Sequence, residues 1–85
     1  MAVMIPCRSP MDILERWGSD DQLSTPDVMR LANRSQPVTY RWMTRLLVRG
    51  YFQRHLITNR ERGRTLTIWT ITPKGREAAT ELRNT

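Results

Sequence analysis

Four of the five prolines in this 85-residue chain stand one or two positions after a serine or threonine: Ser9-Pro10, Thr25-Pro26, Ser35-Gln36-Pro37 and Thr72-Pro73. A hydroxyl oxygen can accept from the orphan amides of a helix start, and proline fits the first turn because its missing N–H has no partner there. Each pair therefore marks where a helix begins. Asp12 and Asp27 fall in two of the first turns, where a carboxylate favours the positive end of the helix dipole.

Apolar spacing fills in the rest. Ile13, Leu14 and Trp17 share a face, so a first helix is expected over about 10–17, capped by Ser9 and stopped by Gly18. A second, short helix is expected with Thr25 as cap, Val28, Leu31 and Ala32 as its apolar face, and an end near Asn33. A third should be capped by Ser35 and run to Arg49, with Gly50 as its stop. Thr39, Met43, Leu46 and Leu47 form its inner side, flanked by Trp42. A last helix opens at Thr72-Pro73 and turns Ala78, Ala79 and Leu82 inward. Between the third and last helices the period changes. Tyr51–Thr58 and Thr65–Ile71 are rich in β-branched and aromatic residues, around a polar tip containing Gly63, which predicts a β-hairpin. In its second strand Thr67, Trp69 and Ile71 lie on one face and Leu66, Ile68 and Thr70 on the other, so the pattern leaves the buried face open. Ser19–Gln22 reads as a polar connector. Residues 1–9 read as a loose N-terminal arm and 10–85 as one domain.

The charge is as uneven as the helices are regular. The net charge of +6 comes from 13 arginines and Lys74 against 8 acids. Residues 1–27 carry two arginines against five acids, a net of −3. Residues 28–64 carry nine arginines against Glu61, a net of +8, and residues 65–85 carry three basic groups against two acids, a net of +1. A surface selected only for solubility mixes its signs. The run from Val28 to Arg60 holds no acid at all, so it is a candidate footprint for a polyanion.

Several classes fall away. No run reaches the ~20 apolar residues of a membrane span, and Met1–Ile5 lacks the basic-then-apolar order of a signal peptide. The single Cys7 forms no internal disulfide, and Cys7 with His55 falls short of the roughly four ligands of structural zinc. No metal or cofactor is expected. Catalysis has little to draw on: His55 has no nucleophile nearby, Asp20-Asp21 sits in the connector, and the four glycines stand at element boundaries rather than in a phosphate loop. A small reduced domain of the cytoplasm, in a bacterial cell or phage-infected host, is the expected setting.

The order helix, helix, helix, hairpin, helix has two helices joined by a few residues, followed directly by a basic hairpin. Pro37-Val38-Thr39-Tyr40-Arg41-Trp42-Met43-Thr44-Arg45-Leu46-Leu47-Val48-Arg49-Gly50-Tyr51-Phe52 resembles the recognition helix and first wing strand of bacterial winged-helix transcription regulators, with MarR-like and PadR-like groups nearest. Trp69-Thr70-Ile71-Thr72-Pro73-Lys74-Gly75 is similar to their exit from the wing into the next helix. The resemblance covers about residues 10–83. It implies an α+β, mainly α, winged helix-turn-helix: three helices, a β-hairpin wing and a C-terminal helix. It also implies that Gln36, Val38, Tyr40, Arg41, Thr44 and Arg45 face bases and that Arg60, Arg62 and Arg64 form the wing tip. Arg34, in the turn before the third helix, joins this DNA-binding set. Full MarR-like regulators carry long extra helices at both ends that dimerise and shape an effector pocket. Both ends are short here, so an effector pocket is not expected, while a homodimer through helix 73–83 or through the arm Met1–Ile5 stays open.

Physics suits this reading. A helix fits the major groove, arginine reads guanine in bidentate fashion, and apolar groups touch the thymine methyl. Arginine on a hairpin tip suits phosphates or a narrow minor groove. The amide end of the second helix offers a further backbone contact. Arg41 and Arg45, at i and i+4, have no acid in their helix. The partner expected is double-stranded DNA and the function that of a small transcriptional regulator. The alternative is a protein-interaction module for an acidic partner, such as a transcription-machinery component. Val38, Tyr40 and Trp42 exposed as one apolar patch would favour that alternative. Trp17, Trp42 and Trp69 are expected in or beside the core.

Overall fold

The chain folds as α1 (Pro10–Arg16), β1 (Gln22–Ser24), α2 (Thr25–Ala32), α3 (Gln36–Val48), β2 (Phe52–Asn59), β3 (Arg64–Ile71) and α4 (Pro73–Arg83). These elements come from a computed structural model that describes residues 5–59, 61 and 63–84. The fold is α+β: a helix-turn-helix precedes a hairpin wing, and a fourth helix closes the chain.

The helix starts follow the proline punctuation, with one shift. Asp12 accepts from the amides of Arg8 and Ser9, at 2.7 and 3.2 Å, and so anchors the start of α1. Thr72 Oγ1 accepts from the Gly75 amide at 3.0 Å and starts α4. At α2 the cap is Ser24, whose Oγ accepts from the Asp27 amide, and not Thr25. Two adjacent hydroxyls compete for that role, and Thr25 is drawn inward, where its Oγ1 accepts from the Trp69 indole N–H at 2.9 Å.

The sheet has three antiparallel strands in the order β1-β3-β2. Gln22–Ser24, at the end of the expected connector, forms a strand by pairing Leu23 opposite Trp69. Three residues are too few to show alternation in a sequence. Register also decides which face of β3 is buried. Phe52 lies opposite Ile71 and Arg54 opposite Trp69, and Phe52, Trp69 and Ile71 all enter the core. Leu66 and Ile68 share the other face, with Ile57 and His55 opposite them. Beyond the core both faces of the hairpin are open, and Leu56, Ile57 and Leu66 are exposed.

The core joins Ile13, Leu14 and Trp17 of the first helical segment to Val28 and Ala32 of α2, Met43 and Leu46 of α3, the sheet residues above and Ala79 of α4. Trp17 packs on Phe52 with ring centroids 4.7 Å apart and donates its indole N–H to the Asp20 carbonyl at 2.9 Å. Trp17 and Trp69 are fully buried and Trp42 half-buried. Arg76 of α4 holds the α1–β1 connection by donating to the carbonyls of Gly18, Ser19 and Asp20 at 2.7–3.0 Å.

Residues 5–9 depart from the expected loose arm. Cys7 is fully buried, its amide donates to the Ala32 carbonyl at 2.8 Å, and its carbonyl accepts from Arg34 Nε at 2.7 Å. Arg16 donates to the carbonyls of Ile5 and Leu31. The stretch is therefore fastened across α1 and α2. A small apolar thiol followed by backbone hydrogen bonds gives no periodic signal, so its burial is visible only in three dimensions. Among the described residues no helix is long and apolar enough to cross a membrane.

Candidate nucleic-acid interface

The turn between α2 and α3 is Asn33-Arg34-Ser35. Asn33 adopts the left-handed conformation, φ 52° and ψ 49°, which asparagine tolerates better than most residues. Its amide and that of Arg34 both return to the Met29 carbonyl, closing α2 in a tight C-cap. Three residues thus reverse the chain and lay α3 across α2.

α3 buries Thr39, Met43 and Leu46. The 3.6-residue period then puts Arg41, Arg45 and Val48, at i, i+4 and i+7, on the opposite stripe. All three are exposed, Val48 to 78%. Half-buried Val38 and Thr44 border this stripe. No described carboxylate pairs with Arg41 or Arg45, and the first turn of α3 carries no acid. The stripe therefore holds two uncompensated guanidinium forks beside an apolar group. Val48 belonged to neither the expected core nor the expected site, although its spacing from Arg41 was readable.

The remaining residues of the expected set divide. Tyr40 lies on the flank facing the sheet, its ring edge-on to Trp69 at 5.5 Å and its hydroxyl accepting from Arg54 Nη1 at 2.7 Å. Thr44 spends its hydroxyl on the Tyr40 carbonyl one turn back, at 2.8 Å. Gln36 is exposed beside a shallow hollow of about 250 Å³ between α2 and β3, lined also by Pro26, Met29 and Leu66. Arg34 is exposed, yet it also serves structure, since its guanidinium lies 5.6 Å from the Trp42 ring centre as well as on the Cys7 carbonyl. Val38 lines a second hollow of about 660 Å³ with Met29, Arg30 and Asn33 at the mouth of the helix-turn-helix. Arg64 is exposed at the start of β3, on the face of Leu66 and Ile68. Arg60 and Arg62, the other two wing-tip positions, lie outside the described residues.

Val38, Tyr40 and Trp42 do not make one apolar patch. Each is half-buried, Tyr40 against the sheet and Trp42 on the opposite flank beneath Arg34. At the start of α2, Asp27 accepts from Ser24 Oγ at 2.9 Å and pairs with Arg30 at 3.3 Å. The positive end of that helix thus faces its own carboxylate, which disfavours the expected phosphate contact there. α4 leaves no large apolar side chain exposed, Leu82 being half-buried. Among the described residues no group of three or more potential metal ligands comes together.

Comparison with known proteins agrees with this geometry at the level of fold. No family model and no curated protein matches the chain. Over 88% of its length the chain is similar to the crystal structure of a probable transcriptional regulator from Pseudomonas aeruginosa, with a TM-score of 0.62 and 25% sequence identity. The match spans 58% of that protein's chain.

Proposed function

We propose that this protein is a sequence-specific duplex-DNA-binding transcriptional regulator whose α3 enters the major groove. The observation that carries the reading is the outer stripe of α3, where Arg41 and Arg45 stand exposed and unpaired beside Val48. Arginine forks match the O6 and N7 acceptors of guanine, and valine matches a thymine methyl. Val38 and Thr44 border this readout, and Gln36 and Arg34 stand at the start of the helix. Arg64, exposed at the start of β3, together with Arg60 and Arg62 just before it in the sequence, is the proposed contact to the phosphate backbone or adjacent minor groove. The similarity to a probable transcriptional regulator supports the same reading, as does the resemblance of residues 37–52 and 69–75 to MarR-like and PadR-like regulators. Residues 10–85, with the fastened stretch 5–9 packed on them, are the proposed DNA-binding domain, acting as a homodimer in the bacterial or phage-infected cytoplasm.

Selection of bound duplexes from a random pool at physiological salt tests this. An enriched sequence supports specific binding, and a palindrome among the products supports the dimer. No enrichment, with an acidic protein co-purifying instead, favours the protein-interaction alternative.

A further inference from the structure

We infer that Tyr40 and Arg54 together form a clamp for one backbone phosphate of the bound duplex, at the junction of α3 and the wing. The inference rests on the duplex-binding reading above and assigns Tyr40 to the backbone rather than to a base edge. Arg54 is absent from the set of residues the sequence singles out.

The pair is held from beneath. Arg54 occupies the core-side face of β2, opposite Trp69, at the point where the hairpin leaves the core. Its Nη1 donates to Tyr40 Oη at 2.7 Å, and its guanidinium carbon lies 5.8 Å from the Tyr40 ring centre. The Tyr40 ring meets Trp69 edge-on at 5.5 Å, and Trp69 is fixed to Thr25 at 2.9 Å. A buried hydrogen bond thus supports an indole, the indole supports a phenol, and the phenol supports a guanidinium.

What the pair presents outward is donors. Tyr40 Oη accepts from Arg54, and no described residue accepts the phenol's own proton. Arginine has five N–H donors, and the Tyr40 bond engages one of those on Arg54. No described carboxylate pairs with Arg54. A fork and a hydroxyl donor side by side, with no described carboxylate paired to the fork, match the non-bridging oxygens of a phosphodiester. The position matches too. Tyr40 lies on the sheet-facing flank of α3, so with the Arg41–Arg45 stripe in the groove a backbone strand beside that groove would meet the pair.

The test compares the unmodified protein with Tyr40→Phe, Arg54→Gln and the double variant, on the selected duplex and on a random duplex across a salt series. Tyr40→Phe keeps its ring on Trp69, and Arg54 is exposed, so both variants retain the fold. Each substitution should weaken binding roughly tenfold, since a hydrogen bond to a charged group commonly reaches that size. The loss should be equal on the two duplexes, and Arg54→Gln should reduce the salt slope by about 0.9. The double variant should lose less than the product of the single losses, because the groups act as a unit. A loss from Tyr40→Phe confined to the selected duplex would make Tyr40 a base contact and overturn the clamp. So would an unchanged salt slope for Arg54→Gln, or unchanged affinity in either single variant. Failure of the unmodified protein to bind any duplex at low salt would instead overturn the DNA-binding reading itself.

Discussion

The indole N–H of Trp69 donates to the hydroxyl of Thr25 across 2.9 Å of buried interior. This bond joins the wing's second strand to the first turn of α2, beside the pairing of β1 with β3. Thr25→Val keeps the shape but leaves the indole without an acceptor. It should cost about 1–3 kcal/mol in denaturant unfolding, with Thr25→Ser retaining most of the stability. An unchanged midpoint for Thr25→Val would show that the bond contributes nothing to the joint.

Thr39 should behave in the opposite way. It is fully buried on the inner face of α3, and its hydroxyl has no hydrogen-bond partner. Thr39→Val removes a desolvated polar group without opening a void, so stability should hold or rise by about 1 kcal/mol. A fall in the unfolding midpoint would reveal an acceptor for that hydroxyl.

Gly75 lies in the first turn of α4, where alanine would ordinarily be the better helix former by about 1 kcal/mol. A Cβ there would overlap the Tyr51 carbonyl oxygen and come within 2.8 Å of Ile71 Cγ1. Sterics therefore reverse the propensity, and Gly75→Ala should destabilise by about 1–3 kcal/mol in thermal unfolding. Stabilisation would mean that α4 does not sit this close to Tyr51.

Burial pushes the Cys7 thiol above its ordinary value, partly offset by Arg16 and Arg34. A folded-state value raised above the unfolded one contributes stability that is fully present below the ordinary thiol value and is lost as pH rises above it, through the raised folded value. Maleimide labelling at neutral pH should therefore be slow in the folded protein and fast once denaturant unfolds it. Rapid labelling of the folded protein would place Cys7 outside the core.

How far these features were legible depended on whether a neighbour in sequence or a neighbour in space decided them. The starts of α1, α3 and α4 could be read from the pairing of Ser9, Ser35 and Thr72 with proline, because that signal is local, and all three hold the N-cap position, although the Ser35 hydroxyl makes no cap hydrogen bond. The cap of α2 could not, since Trp69 claims the Thr25 hydroxyl and leaves Ser24 to cap. β1 exists only through its pairing with β3. The period of α3 disclosed Arg41 and Arg45 as outward. It placed Tyr40 with them, but the sheet lies on that flank and turns the phenol toward Arg54. Arg54 itself was hidden because its role needs the hairpin register and the approach of α3 together.

The central claim is that α3 reads sequence through Arg41 and Arg45. The direct measurement is the affinity of Arg41→Ala and Arg45→Ala for the selected duplex and for a random duplex of equal length, at one salt concentration. Each variant should lose about 1–3 kcal/mol on the selected duplex and clearly less on the random one, narrowing the ratio between them. Equal losses on both duplexes for both arginines would reduce them to phosphate contacts and contradict readout by α3.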